Sequence, residues 1–194
     1  MAAPVEVKAA PWTLTFDVES NGLHGDHFGV GAIVHDSEGK EQGTLLDGCC
    51  HTETSQFRLP ADDSRNRTAW IVRHVVPVLP VTCRSLREVR DRFWAFYTKW
   101  VKHVEGLKVP LHVIVDAGFP VETNSLSLCV ADDFANRQWA APFPLHEVQT
   151  VQMLSGYTAG AERRADELPE HNPLADARQS HRIWREARLL LEGT

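Results

Sequence analysis

The sequence predicts an α/β fold, and three observations carry that reading. Three runs rich in β-branched and aromatic residues near the start are separated by tight-turn residues. A long amphipathic helical stripe follows them. A short apolar run after Pro110 then reads as a buried strand, with further helical segments behind it. Together they describe an antiparallel meander, a further strand and several helices, an α/β chain. The 194 residues fit one domain. Residues 1–11, small and carrying Pro4 and Pro11, read as a flexible leader, and residues 12–194 as a single unit.

The first strand is Trp12 to Glu19, closed by Asn21-Gly22. The second runs from Phe28 to His35 and ends at Asp36-Ser37-Glu38-Gly39, and the third runs from Gly43 to Cys50. Residues 52–66, polar and proline-containing, read as a loop leading into a helix around Thr68 to Val76. Ser85-Leu86-Arg87-Glu88 has the capping-box pattern, in which each side chain satisfies an orphan backbone donor, and opens a helix from Leu86 to about Val104. Leu86, Val89, Phe93, Phe96, Trp100 and Val104 share one face of it, an apolar stripe of the kind that packs on a sheet. After Pro110, Leu111 to Val115 is the buried strand, ending at Asp116. A helix is expected from Val121 to Asp133, a proline-broken stretch around Pro142 and Pro144, a helix from Val148 to Leu154, and a charged loop over 156–170. The last helix opens at Asn172-Pro173, an N-cap followed by proline at the first helical position.

Charge and composition exclude several classes of function. Lys and Arg number 20 against 26 Asp and Glu, a net charge of −6, the wrong sign for coating long nucleic acid by electrostatics alone. Any nucleic-acid role needs a local basic patch or bound cations. The longest apolar stretch, Val75 to Val81, is interrupted by Pro77 and Pro80 and falls far short of the ~20 residues that span a bilayer, so no membrane partner is expected. The start of the chain carries no apolar core of a secretory signal. Cys49, Cys50, Cys83 and Cys129 show no zinc-ligand spacing, and a reducing, cytoplasmic location is the simplest expectation.

The chemistry gathers on acidic residues. Positions two apart on a strand point the same way, so Asp17 and Glu19 present two carboxylates side by side while Phe16 and Val18 face the other side. Two such charges repel, and the pair is stable where water, a base or a metal cation offsets the repulsion. Taken alone, it also reads as an exposed strand end dissolving into a turn. Asp116 ends an apolar strand, and ligands sit at the carboxyl ends of strands in open α/β sheets; a turn aspartate capping the next helix is the other reading. Asp176 shares a face of the last helix with Ser180, Ile183, Ala187 and Leu190, so a carboxylate points inward and needs an arginine or a metal as partner. Arg178, Arg182, Arg185 and Leu189 fall on the opposite side, an ordinary solvated face that, with Arg163 and Arg164, could also guide a short strand. His171, just before the N-cap, can swing toward Asp176; alone it reads as a surface or capping histidine.

Asp17-Val18-Glu19-Ser20-Asn21-Gly22-Leu23 resembles the D-x-E-[TS]-x-G-L first motif of the DEDDh exonucleases, the DnaQ-like branch of the RNase H-like fold. His171-Asn172-Pro173-Leu174-Ala175-Asp176 is similar to that family's H-x-x-x-x-D third motif, and Gly29 to Asp36 resembles its second strand. Asp116 falls between them, before a helix, where the second motif belongs, although Ala117-Gly118-Phe119-Pro120-Val121-Glu122 departs from the commonest form of that motif. The likeness extends from residue 12 to about residue 190 and is closest to compact stand-alone exoribonuclease-like members.

The resemblance implies an RNase H-like mixed sheet and a 3′-to-5′ exonuclease, exoribonuclease favoured over exodeoxyribonuclease. Such an enzyme acts on 3′ ends of single-stranded nucleic acid and releases nucleoside 5′-monophosphates. It implies that Asp17, Glu19, Asp116 and Asp176 hold two Mg²⁺ or Mn²⁺ ions, hard cations suited to an all-oxygen site. It makes His171 the general base, a role that its ordinary pKa of ~6.5 suits. Leu23 would wedge against the terminal bases, or, read as a turn leucine, pack on the core. Two divalent ions would add +4 to −6 and leave about −2, far less repulsive to phosphate. Several relatives are dimers, so a homodimer is a candidate. The alternative from another class is a non-catalytic RNase H-like module that binds nucleic acid or a protein partner.

Overall fold

The computed structural model describes residues 10–49, 67–158 and 162–193. Most of the expected leader, Cys50, the loop over 52–66 and residues 159–161 of the charged loop lie outside the described residues. Strands β1 (Trp12–Ser20), β2 (His27–His35) and β3 (Glu41–Gly48) form the antiparallel meander. On the other side of β1 lie β4 (Leu111–Val115) and then β5 (Leu145–Glu147), both parallel to it, so the five-stranded sheet has the order β3-β2-β1-β4-β5. The helices are α1 (Arg67–His74), α2 (Leu86–Leu107), α3 (Thr123–Asp132), α4 (Phe134–Arg137), α5 (Val148–Ser155) and α6 (Pro173–Glu192). Helices α2 and α3 cover one face of the sheet, and α5 and α6 the other. The fold is thus α/β, with a mixed sheet flanked by helices in an RNase H-like arrangement.

The alternation in β1 sorts its side chains between the two helical layers. Leu14, Phe16 and Val18 enter the main core beneath α2, where the Phe16 and Phe93 rings lie 4.9 Å apart. Full burial of side chains of this size stabilises by roughly 1.5–3 kcal/mol each. Thr13 and Thr15 face α6, each hydroxyl 3.4 Å from Nδ1 of His181. The same period carries Asp17 and Glu19 onto the α6 face at the carboxyl end of the strand.

What lets α6 reach that end is Gly31, which pairs with Asp17 across the β1–β2 ladder. A Cβ at Gly31 would come within 2.1 Å of the Leu174 nitrogen and the Pro173 carbonyl carbon. The first turn of α6 therefore rests directly on the Gly31 backbone. Its start is set by Asn172, whose side-chain oxygen accepts from the Leu174 and Ala175 amides at 3.1 and 3.2 Å, with Pro173 in the first turn. The Asn172 amide also donates to the Val78 carbonyl at 2.9 Å, tying the helix start to the segment after α1.

Several elements depart from the sequence expectation. The α2 stripe is wider: Trp94 and Tyr97 are buried, while Leu86 and Phe96 are only partly so. The helix expected from Val121 begins at Thr123, because Gly118–Glu122 forms an irregular turn with Phe119 extended at φ −114°, ψ 137°. The proline-broken stretch contains the short strand β5, paired to β4 through Val113, Ile114 and Val115. Arg182 is not part of a solvated stripe. It is partly buried against the carboxylate of Glu167, itself 2% exposed, and such a pair persists because each charge satisfies the other. Leu190, expected on the inward face, is exposed. Cys49, Cys83 and Cys129 are buried, Cys83 and Cys129 as free thiols, and no helix among the described residues is long and apolar enough to cross a membrane.

Candidate active site

Four elements meet where β1 and β4 end. Asp17 and Glu19 come from β1, whose pairing with β2 becomes irregular between Glu19 and Ser20 as the chain turns through Asn21 and Gly22. Strand β4 runs parallel beside β1 with Thr15 opposite Ile114, a register that carried two residues further brings Asp116 alongside Asp17. Asp116 is tied to the start of α5: its carbonyl accepts from the Gln149 amide and its carboxylate from the Gln149 side chain, both at 3.3 Å. Asp176 comes from the first turn of α6.

Glu122 is the member that sequence reasoning missed. It ends the irregular turn after β4 and is 6% exposed. The turn is pinned by Glu147 at the end of β5, whose Oε1 accepts from the Gly118 amide at 2.9 Å and whose Oε2 accepts from the Thr150 hydroxyl at 3.1 Å. A Cβ on Gly118 would come 2.9 Å from that Oε1, so glycine suits the close approach. The one sequence signal was a carboxylate standing alone after the apolar run Phe119-Pro120-Val121.

Crowding and burial together set the electrostatics. Burial, reinforced by Glu19, Asp176, Glu122 and Asp116, holds the Asp17 carboxyl well above the usual aspartate range. Burial and the charges of Asp176 and Glu122 push Glu19 up to about 8. Burial, with repulsion from Asp116 and Glu147, pushes Glu122 up to about 7. Burial raises Asp176 as well, against the opposing pull of Arg163 and His171. Without a cation the cluster therefore meets neutral pH holding protons in place of some of its charges.

His171 adopts left-handed backbone geometry at φ 63°, and its amide donates to the Asp176 carboxylate. Its ring is half-buried and sits edge-on to Trp70 of α1, with centroids 4.7 Å apart. It precedes the helix as expected, but two contacts restrain it. Ligand atoms of Glu19, His171 and Asp176 lie within 4.8 Å of one another. Arg163 was also not foreseen at the site; its guanidinium donates to Asp176 at 2.5 Å.

Leu23 is 55% exposed and so is not a core leucine. With Glu19, Gly22, Trp70, Ile71 and Val121 it borders a largely apolar pocket of about 360 Å³ opening beside the carboxylates. Helix α1 reaches this edge because Ile71 and Val75 pack on Phe28 of β2. All five residues expected to carry chemistry thus lie at one end of the sheet, joined by Glu122, Arg163 and Trp70. Neither a protein-family model nor a curated protein matches the chain.

The donor set suits hard divalent cations: carboxylate oxygens dominate, and no thiolate is among them. Their repulsion is of the kind that such cations relieve. Asp17, Glu19, Glu122, Asp116 and Asp176 are the residues that would hold them.

Proposed function

We propose that this protein is a divalent-metal-dependent 3′-to-5′ exonuclease acting on single-stranded nucleic acid, RNA or short oligonucleotides in preference to long duplex DNA. One observation carries the reading: carboxylates from β1, the turn after β4 and α6 converge with His171 at one end of the sheet, where burial raises all of them and their neighbours' charges raise Asp17 and Glu19 further. Two Mg²⁺ or Mn²⁺ ions, when bound, supply charge neutralisation to the scissile phosphate and to the attacking and leaving oxygens. Direction and product class come from the likeness of the Asp17–Leu23 and His171–Asp176 segments to the DEDDh motifs. The acidic composition favours short strands over long duplexes. A cytoplasmic location belongs to the same reading.

His171 takes the proton from the attacking water. The water oxygen bonds to phosphorus, the bond from phosphorus to the 3′ oxygen breaks, that oxygen takes up a proton to become the 3′ hydroxyl of the shortened strand, and a nucleoside 5′-monophosphate leaves. His171 suits the task because a ring nitrogen lies within 4.8 Å of carboxylate oxygens of Glu19 and Asp176, while its imidazole stands against Trp70. Leu23 and Trp70 offer the terminal base an apolar wall beside Glu19. Stacking of a base on an aromatic ring contributes ~1–3 kcal/mol and tolerates any base.

Asp17→Ala tests the reading. It should abolish metal-dependent cleavage while leaving the metal-free fold at least as stable as wild type, because one of several repelling carboxylates has gone. Near-wild-type cleavage by this variant would reject the assignment.

A further inference from the structure

Resting on the reading of this cluster as a metal site, a second feature concerns how the site is loaded. Among the described residues, the one ion pair that Asp17, Glu19, Asp116, Glu122 or Asp176 makes is that of Asp176 with Arg163. The Arg163 guanidinium donates to Asp176 Oδ1 at 2.5 Å and to the Glu167 carbonyl at 3.0 Å, and its Nε stands 3.6 Å from Glu170. Both partners are largely buried, with side chains 18% and 16% exposed. Asp176 is also the carboxylate whose ligand atom lies within 4.8 Å of those of Glu19 and His171. One carboxylate thus faces a guanidinium on one side and the ligand cluster on the other.

An ionised carboxylate offers about four lone-pair sites, and here one oxygen serves the guanidinium while the His171 amide also donates to the group. A divalent ion drawing on the same carboxylate would stand close to a fixed positive charge, and the two repel. We propose that Arg163 is an exchangeable internal cation: it neutralises Asp176 in the metal-free protein and yields that carboxylate when a divalent ion enters. Glu170, already 3.6 Å away at the exposed rim, is the partner to which the guanidinium withdraws. Metal loading is then a competition between a tethered cation and a free one, and Arg163 sets the metal concentration at which the site fills.

The test is calorimetric titration of the metal-free full chain with MnCl₂ alone, backed by thermal melting. Arg163→Gln should bind Mn²⁺ about tenfold more tightly than wild type, the size expected for removing one charge-assisted hydrogen bond from the competing state. Its metal-free melting temperature should fall. Arg163→Lys, which keeps the charge and loses the fork, should lie between them and carries the comparison if the glutamine variant folds poorly. In an Asp176→Asn background, Arg163→Gln should change Mn²⁺ affinity by less than twofold, because the shared carboxylate charge has gone. Equal or weaker Mn²⁺ binding by both Arg163 variants, with wild type binding normally, overturns the exchange and leaves the metal site standing. Wild type that takes up no Mn²⁺ at all overturns the metal site itself, and the exchange with it.

Discussion

Glu122→Gln is predicted to make the metal-free protein more stable, although it removes a carboxylate from the proposed machinery. Glu122 titrates at about 7 in the fold against an ordinary value of 4.5, chiefly because it is buried and secondarily because Asp116 and Glu147 repel it. The native state therefore binds this proton more tightly than the unfolded chain. Stability falls as pH rises from 4.5 to about 7, and above that range the full penalty applies. The gap between the two values corresponds to about 3 kcal/mol. For a chain of this length 1 kcal/mol moves the melting temperature by roughly 2–4 °C, so glutamine should raise it by ~6–12 °C at pH 8 in EDTA. The amide oxygen can still accept from the residue's own backbone N–H, as the carboxylate does. At pH 5 the gain should shrink below ~4 °C, since wild-type Glu122 is then protonated in the fold. Circular dichroism melts at the two pH values decide the matter. An unchanged or lowered melting temperature at pH 8 refutes the electrostatic reasoning, and an equal gain at both pH values assigns it to packing instead of charge.

Two further substitutions probe how the site is built. Gly31→Ala forces a Cβ into the backbone of Pro173 and Leu174, which should destabilise by ~1–3 kcal/mol and lower cleavage more than it lowers stability, because Asp176 moves with the helix start; melting and cleavage rates measured together check it, and unchanged cleavage contradicts it. His171→Ala should lose ~10²–10⁴ in rate while Mn²⁺ affinity stays within severalfold, with the acidic limb of the pH–rate profile altered; wild-type rates from pH 6 to 9 would make the histidine structural.

The parts of this molecule that were legible in the sequence are those with a long period or a strong terminus. Trp12 to Glu19 alternates over enough residues to declare both faces, which is why the sequence alone places Asp17 and Glu19 on one side. Asn172-Pro173 set the start of α6 to the residue, and so the direction of Asp176. Glu122 was illegible because it ends a turn that follows neither the helical nor the strand period. Strand β5 has three residues, too few for alternation to show, and the prolines before it advertise a break. The pairs Arg182 with Glu167 and Arg163 with Asp176 join residues separated by a loop of irregular backbone, and helical phase alone assigned Arg182 to solvent. Long-range partners of charged side chains are a property of packing, which a single sequence does not print.

The most direct test of the proposed activity is incubation of 5′-labelled single-stranded RNA and DNA with the purified protein in Mg²⁺, Mn²⁺ or EDTA. If the carboxylate cluster works as proposed, the labelled strands shorten stepwise in either metal, RNA faster than DNA, and stay intact in EDTA. The 5′ label then remains on a descending ladder while unlabelled nucleoside monophosphates accumulate. Strands that stay full-length in both metals, or that release the label at once as a mononucleotide, would contradict a 3′-to-5′ exonuclease.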